Sequence, residues 1–179
     1  MRILIVYGTT EGQTSKIARF MENLLLKDRH EVVLANASKH PPEPDGFDAI
    51  LIGSSIHLNK YNTSIKRYVQ DHISALSKRT TAFFSVSMAI VSDIPKKQEE
   101  VKQIAQGFLE NTGWDANGIW HIAGALKFTK YDYLMKMAMR SIARKEDGHI
   151  DINTDYEYTY CTKVKNLIVH LSNYIQNQP

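Results

Sequence analysis

Short apolar runs recur along the chain, and each ends in small or polar residues. The first run, residues 2–7, has almost no polar interruption and stops at Gly8. Such a run is typical of a strand that is buried on both faces of a parallel sheet. Similar runs at 48–53, 81–86 and 118–123, with a shorter one at 31–35, predict five strands in total.

Segments with helical spacing of apolar residues separate and follow these strands. They cover 13–27, 63–76 and 95–111, with Pro95 suited to a first helical turn and Gly113 to a helix end. A last helix is predicted to open near Thr154 and Asp155. Its apolar positions are Val164, Leu167, Ile168, Leu171 and Ile175. This alternation predicts an α/β fold, a doubly wound five-stranded parallel sheet, in one domain over residues 1–179.

The segment 126–153 departs from this alternation, and it is too long for a structureless loop. At about 100° per residue its apolar side chains share one face and its basic side chains the other. The apolar face holds Tyr131, Leu134, Met135, Ala138 and Ile142, and the basic face holds Lys136, Arg140 and Arg144. We therefore predict an inserted amphipathic helix whose basic face contacts an anionic membrane surface or a substrate. A solvated helix that only covers the sheet is the alternative.

Composition adds limits to this picture. The chain has 179 residues, is 43% hydrophobic and carries a net charge of +3, which fits a folded domain and gives no sign of a nucleic-acid partner. No apolar run approaches a membrane span, and the single Cys161 cannot form an internal disulfide. We expect a cytoplasmic protein, peripheral at most on the cytoplasmic face of a membrane. Its oligomeric state is left open.

The loop after the first strand is the strongest candidate for a phosphate site. It is rich in hydroxyl groups and leads into a helix, whose N-terminus favours anions. It lacks the G-x-G-x-x-G pattern, and a P-loop would need Lys where the chain has Gln13. An N-capped turn without a ligand is the alternative. The candidate residues are Thr9, Thr10, Glu11, Gly12, Gln13 and Thr14.

Two further loops follow the third and fourth strands and begin with small residues. In open α/β sheets, ligands bind beyond the carboxyl ends of the strands, so the three loops predict one site. Backbone groups there can reach the polar edge of a planar ring, and apolar side chains can cover its faces. The candidates are Ser54, Ser55, Ile56, His57 and Leu58 in one loop, and Ser85, Val86, Ser87, Met88 and Ala89 in the other.

Other candidates for chemistry are weaker. The seven histidines are scattered and form no H-E-x-x-H motif, so we predict no metal site. Asp147 and Asp151 lie in a stretch of turn-forming residues and are expected to be solvated. His57 is the exception among the histidines, because its loop should border the ligand, although a plain surface role is equally compatible.

Four motifs together resemble one family. The Thr9–Thr14 turn is followed by Gly53-Ser-Ser-Ile and by Ala82-Phe-Phe-Ser-Val, and Ile122-Ala-Gly-Ala-Leu precedes the Tyr-rich basic segment. The chain in this respect resembles the flavodoxin-like, menaquinone-dependent protoporphyrinogen IX oxidases over almost its full length. The resemblance implies a flavodoxin-like fold, FMN as cofactor, and oxidation of protoporphyrinogen IX in haem biosynthesis with electrons passed to a quinone.

The resemblance also implies roles for the three loops. Residues 9–14 would hold the FMN phosphate, residues 54–58 the isoalloxazine ring, and residues 85–89 the other edge of that ring. Two positions depart from the pattern. Glu11 stands where flavodoxins commonly have a hydroxyl residue, so its backbone N–H is the expected contact, and His57 stands where an Arg is expected.

Other functions remain to be compared with this one. A flavodoxin that carries electrons between proteins is the main alternative. Such carriers are typically acidic and short in the segment after the fifth strand, whereas this chain holds a charge of +5 over residues 127–145. An FMN-dependent quinone reductase using NAD(P)H is a third candidate, without a second nucleotide fingerprint. A flavin-free interaction domain is the fourth. No nucleophile–His–acid set is evident, and flavin chemistry does not need one.

Overall fold

A parallel β-sheet flanked by helices forms the centre of the molecule. The computed structural model describes residues 1–126, 156–157, 164 and 167–169. The sheet has five strands in the order β2-β1-β3-β4-β5, all of them parallel. Their bounds are β1 (Arg2–Gly8), β2 (Glu31–Asn36), β3 (Ala49–Ser55), β4 (Thr80–Val86) and β5 (Ile119–Ile122). The predicted doubly wound parallel sheet is confirmed.

The helices connect these strands close to the predicted positions. They are α1 (Gln13–Lys27), α2 (Thr63–Asp71), α3 (Ile73–Leu76) and α4 (Pro95–Thr112), with a short 3₁₀ helix at Met88–Val91. As predicted, α4 has Pro at its start and ends at Gly113, which adopts the left-handed conformation with φ of 70°.

Both faces of the sheet are covered, which explains the unbroken apolar runs. In β1, Ile3 and Ile5 pack in the cluster that includes α1, whereas Leu4 and Val6 pack on the opposite face with residues of α2 and α4. Alternate side chains of one strand thus enter two separate cores, so polar residues are excluded from both sets of positions.

The predicted helix 63–76 is interrupted, and this boundary was wrong. At His72 the backbone leaves helical geometry, with φ of −117°, and α3 starts one residue later. The His72 Nδ1–H donates to the Tyr68 carbonyl at 2.8 Å, because that oxygen can only accept. The apolar spacing continues across the break, since Leu76 packs in the same core as Tyr68. The periodicity of apolar residues therefore did not reveal the break at His72.

The prediction for the C-terminal segment is partly wrong. Tyr156–Glu157 forms strand β7, paired antiparallel with β6 (Ala125–Leu126), where a helix was expected to be opening. Pairing with a distant strand outweighed the local capping signal there. The helix is present at Val164 and at 167–169, and Val164, Leu167 and Ile168 are buried against the α1 side of the sheet. Leu171, Ile175 and the predicted basic helix lie outside the described residues.

Candidate functional site

The carboxyl ends of three strands meet at one edge of the sheet. Gly8 of β1 is paired with Ser54 of β3, and Ser54 is paired in turn with Ser85 of β4. The loops that follow β1, β3 and β4 therefore start side by side. This is the arrangement that the sequence predicted for a single binding site.

The first of these loops is held in shape by its own hydroxyl and glycine residues. Thr9 Oγ1 accepts a hydrogen bond from the Gly12 N–H at 2.8 Å. Gly12 has a φ of 86°, a left-handed conformation that side chains disfavour, and α1 begins at the next residue without a side-chain cap. The loop thus turns directly into α1, and the positive end of the α1 dipole points into it.

Thr14 lies in the first turn of α1, and its side chain indicates whether the loop fits an anionic ligand. Its side chain is fully buried, and its Oγ1 has no hydrogen-bond partner among the described residues. Burying an unpartnered hydroxyl costs about 1–3 kcal/mol, so such a group normally has a partner. A phosphate at the N-terminus of α1 would provide that partner, and the residues present therefore fit the phosphate of FMN.

The second loop, which follows β3, is joined to the end of β4 and then folds back on itself. The Ile56 N–H donates to the Val86 carbonyl at 2.9 Å, which joins this loop to the end of β4. His57 and Lys60 exchange two backbone hydrogen bonds, and Leu58 and Asn59 between them have positive φ, as in a type I′ turn. Leu58 is 81% exposed at the tip of this turn.

The hydroxyls of Ser54 and Ser85 form hydrogen bonds that hold neighbouring parts of the fold in place. Ser54 Oγ accepts from the Asn62 N–H at 3.2 Å, just before α2, and Ser85 Oγ lies 2.6 Å from the hydroxyl oxygen of Tyr61. The Tyr61 ring also meets Phe83 and Phe108 edge-on. Burial raises the pKa of Tyr61 well above its ordinary value, and the Ser85 hydrogen bond opposes this only weakly, so the phenol stays protonated.

The third loop passes into the 3₁₀ helix. Ser87 Oγ accepts from the Ala89 N–H at 3.2 Å, and the Ser87 N–H donates to the Ile122 carbonyl of β5 at 3.0 Å. The backbone of this loop is therefore fixed on both sides. Rigid loops of this kind can hold a planar ligand without a large loss of conformational entropy on binding.

Together the three loops enclose a cavity of about 350 Å³, which we call the strand-end cleft. Most of the predicted candidates line it: Thr10, Glu11, Gln13, Ser55, Ile56, His57, Val86, Ser87, Met88 and Ala89. The other candidates do not line it: Thr9, Gly12, Thr14, Ser54, Leu58 and Ser85. The basic residues Lys136, Arg140 and Arg144 fall outside the described residues.

Four further residues line the strand-end cleft and were not among the candidates. Ser92, Lys97 and Glu100 come from the segment that enters α4 and from α4 itself, and Gly124 follows β5. Gly124 could have been found by the strand-end rule, because it comes just after the predicted fifth strand. For the other three no sequence signal exists, since helical spacing does not tell which end of a helix reaches the cleft.

The composition of the cleft limits its chemistry. Its charged side chains are Glu11, Lys97 and Glu100, two acids against one base, with His57 beside them. The described residues contain no group of three or more side chains suited to a metal ion. In the same part of the chain, no helix is both long and apolar enough to span a membrane.

Comparisons with known proteins agree with this geometry. The family model described as "Flavodoxin domain" matches residues 4–153, and the chain belongs to this family. Oxidised flavodoxin 1 from Bacillus cereus superposes with a TM-score of 0.56 at 11% identity, with full coverage of both chains, which supports the fold. Family membership indicates FMN as the cofactor.

Among individual relatives, the oxidase resemblance predicted from the motifs is confirmed. Protoporphyrinogen IX dehydrogenase [quinone] of Escherichia coli K12 is 27% identical over 176 residues, 96% of this chain and 97% of the relative. The protein of the same name from Leishmania major is 25% identical over 170 residues, 88% of this chain and 69% of the relative.

Proposed function

We propose that this protein is an FMN-dependent oxidoreductase that dehydrogenates protoporphyrinogen IX and passes the electrons to a quinone, a step of haem biosynthesis. The strand-end cleft, together with the buried Thr14 hydroxyl that has no partner among the described residues, is the observation that carries the cofactor assignment. The substrate and the acceptor come from the name of the relative that matches 96% of the chain.

The phosphate of FMN is assigned to residues 9–14. Thr14 would donate its buried hydroxyl, and Thr9 retains a hydroxyl proton to donate, because its oxygen already accepts from Gly12. Thr10 would add a further hydroxyl at the cleft surface. Glu11 and Gln13 would contribute backbone N–H groups, so that the Glu11 carboxylate can turn toward solvent, away from the phosphate. Gly12, whose N–H is already donated to Thr9, would hold the turn in the shape that the phosphate needs.

The isoalloxazine ring is assigned to the other two loops. Ser55, Ile56 and His57 would lie along one side of it, with Leu58 at the rim, and Val86, Ser87, Met88 and Ala89 along the other. Ser54 and Ser85 would act indirectly, since their hydroxyls hold Asn62 and Tyr61 in place. His57 is proposed to stabilise negative charge on the ring or on the substrate.

The reaction requires little chemistry from the side chains. FMN, when bound, would accept a hydride equivalent at its N5 position and pass two electrons to an acceptor, so that three such turns would remove the six electrons and six protons that separate protoporphyrinogen IX from protoporphyrin IX. The fixed loops hold and orient the reactants, and the apolar side chains of Ile56, Val86 and Met88 limit access of water. No protein nucleophile is proposed.

The basic face of the segment 126–153 is assigned to the membrane side of the reaction. Lys136, Arg140 and Arg144 would contact anionic headgroups, which would place the protein peripherally on the cytoplasmic face and near a membrane quinone. The support for this assignment is the charge of +5 over residues 127–145.

Steady-state turnover of the purified protein tests the proposal. We expect FMN-dependent formation of protoporphyrin IX from protoporphyrinogen IX under anaerobic conditions, at a rate that depends on an added soluble quinone. A flavodoxin-type carrier would instead exchange electrons with reductase proteins and would leave protoporphyrinogen unchanged.

A further inference from the structure

A second cavity lies beside the strand-end cleft and plays no part in the assignments above. It has a volume of about 560 Å³ and is lined by the loop before α2, the first turn of α2 and the C-terminal half of α4. Lys60 and Lys66 stand at its sides, and Tyr61 and Phe108 form an aromatic floor. We call it the lysine cavity.

The charge of the lysine cavity is entirely positive. No acidic side chain among the described residues lines it, and neither Lys60 nor Lys66 makes an ion pair within the described part of the chain. Thr63, the first residue of α2, also lines it, so the positive end of that helix dipole adds to the potential. The strand-end cleft, in contrast, has two carboxylates against one ammonium group.

The aromatic floor of the lysine cavity favours a ligand that has apolar surface as well as negative charge. Phe108 is buried and stacks on Phe83, and the Tyr61 hydroxyl is engaged with Ser85, so the two rings offer only apolar surface. At Gly107 an added Cβ would meet nothing within 4 Å, so the wall on the α4 side stays open. A carboxylate attached to an apolar body matches this combination of surfaces.

One turn separates the two cavities. His57 lines the strand-end cleft, Lys60 lines the lysine cavity, and the two residues exchange backbone hydrogen bonds of 2.9 and 3.1 Å. Residues paired in this way have Cα atoms only about 5.5 Å apart. A ring system as wide as a tetrapyrrole, lying over the FMN at the mouth of the strand-end cleft, would extend past this turn.

We propose that the lysine cavity binds the carboxylate edge of an amphipathic anionic substrate whose ring system lies over the FMN at the mouth of the strand-end cleft. This inference rests on the proposed function, under which the carboxylates are the two propionates of protoporphyrinogen IX. Lys60 and Lys66 are then specificity-determining residues: they pair with the propionates, while the ring is positioned for oxidation.

Porphyrin binding to the FMN-loaded protein tests this assignment. Protoporphyrin IX and its dimethyl ester are titrated into the wild type, the Lys60→Met/Lys66→Met variant and a control, Lys78→Met/Lys96→Met. The control removes the same charge from exposed lysines that line neither cavity. The flavin absorption spectrum reports whether each variant is folded and loaded.

We expect the Lys60→Met/Lys66→Met variant to bind the free acid more weakly, with a Kd raised on the order of tenfold. Its affinity for the dimethyl ester, and the affinities of the control for both ligands, should match those of the wild type. Turnover of protoporphyrinogen should show a raised KM with kcat little changed.

Two results would overturn the inference, and only the second would also overturn the proposed function. Suppose that the wild type oxidises protoporphyrinogen, but the variant binds the free acid normally or loses affinity for the acid and the ester equally. The lysine cavity then does not recognise carboxylates. If the wild type neither oxidises protoporphyrinogen nor binds the free acid, the proposed function fails together with the inference.

Discussion

At the scale of single residues, the Thr14 hydroxyl is the most informative group of the site. We predict that Thr14→Val weakens FMN binding by about 1–3 kcal/mol, because a hydrogen bond to a charged phosphate is lost. The flavin-free protein should be at least as stable as the wild type, since valine removes a buried hydroxyl that has no partner among the described residues. Flavin titration and thermal unfolding of the flavin-free protein measure these two effects.

Thr112 supplies a matched control for this substitution. Its buried hydroxyl donates within α4, toward the Phe108 carbonyl at 2.8 Å and the Leu109 carbonyl at 3.1 Å. Thr112→Val should therefore affect the stability of α4 and leave FMN affinity unchanged. Equal FMN affinity in wild type and Thr14→Val would show that the phosphate lies elsewhere.

Two tyrosines make stability sensitive to alkaline pH. Burial raises the pKa of Tyr61 and of Tyr68, and the negative charge of Glu43 raises that of Tyr68 further. In the unfolded chain both ionise near their ordinary value of about 10. Above that pH the unfolded state binds fewer protons than the folded state, so the free energy of unfolding is predicted to fall from about pH 10 upward.

Urea unfolding over a series of alkaline pH values measures this slope. The Tyr61→Phe/Tyr68→Phe variant should be less stable at neutral pH, because hydrogen bonds to Ser85 and to the Pro42 carbonyl are lost. Its stability should nevertheless decline less steeply above pH 10. A decline as steep as that of the wild type would contradict the assignment to these two residues.

At the scale of elements, two glycines have opposite roles. Gly53 in β3 lies directly against the ring of Phe84, where a Cβ has no room, whereas Gly107 in α4 faces open space. We predict that Gly53→Ala lowers the free energy of unfolding by about 1–3 kcal/mol or more, through overpacking. Gly107→Ala should raise it by about 0.5–1 kcal/mol, because alanine favours the helix. Chemical denaturation of both variants tests the pair, and equal effects would contradict it.

Much of the fold was predictable because burial on both faces leaves a strong signal in the sequence. The strands β1, β3 and β4 each contain an apolar run that is buried on both faces, and Pro95 and Gly113 mark the ends of α4. The break at His72 and the strand at Tyr156–Glu157 were not predictable. They depend on a side-chain hydrogen bond and on pairing with a distant strand, neither of which changes the local apolar spacing.

The site was predictable to the extent that strand ends define it. The three loops could be placed at one edge because parallel strands all end there. Lys97 and Glu100 could not, since their place in the strand-end cleft depends on the packing of α4. The sequence also did not reveal that Ser54 and Ser85 use their hydroxyls to hold neighbouring loops rather than to line the cleft.

At the scale of the whole molecule, charge is unevenly distributed. Residues 127–145 carry +5 within a chain of net charge +3. Neutralising Lys136, Arg140 and Arg144 together should sharply weaken binding to anionic liposomes, since each basic residue near such a surface contributes about 1 kcal/mol. FMN affinity, set by the strand-end loops, should hardly change. Liposome co-sedimentation at fixed ionic strength measures the effect.

A control variant that neutralises Lys39, Lys78 and Lys96 carries the same charge change on other exposed positions. It should bind liposomes nearly as the wild type does. A raised KM for soluble substrate in the first variant, without liposomes, would assign the basic face to the substrate instead. Normal binding and normal kinetics would leave it as a solvated face.

The central claim, that the strand-end cleft holds FMN and uses it to oxidise a porphyrinogen for a quinone, can be tested by one anaerobic spectroscopic measurement. Protoporphyrinogen IX is mixed with the FMN-loaded protein at about one equivalent per three FMN, because forming protoporphyrin IX removes six electrons and each FMN takes up two. Flavin absorbance and porphyrin fluorescence are followed, and a soluble quinone is then added. The account predicts that the flavin band is lost as porphyrin fluorescence appears, and that the band returns with the quinone. A flavin band that persists in the presence of protoporphyrinogen would contradict it.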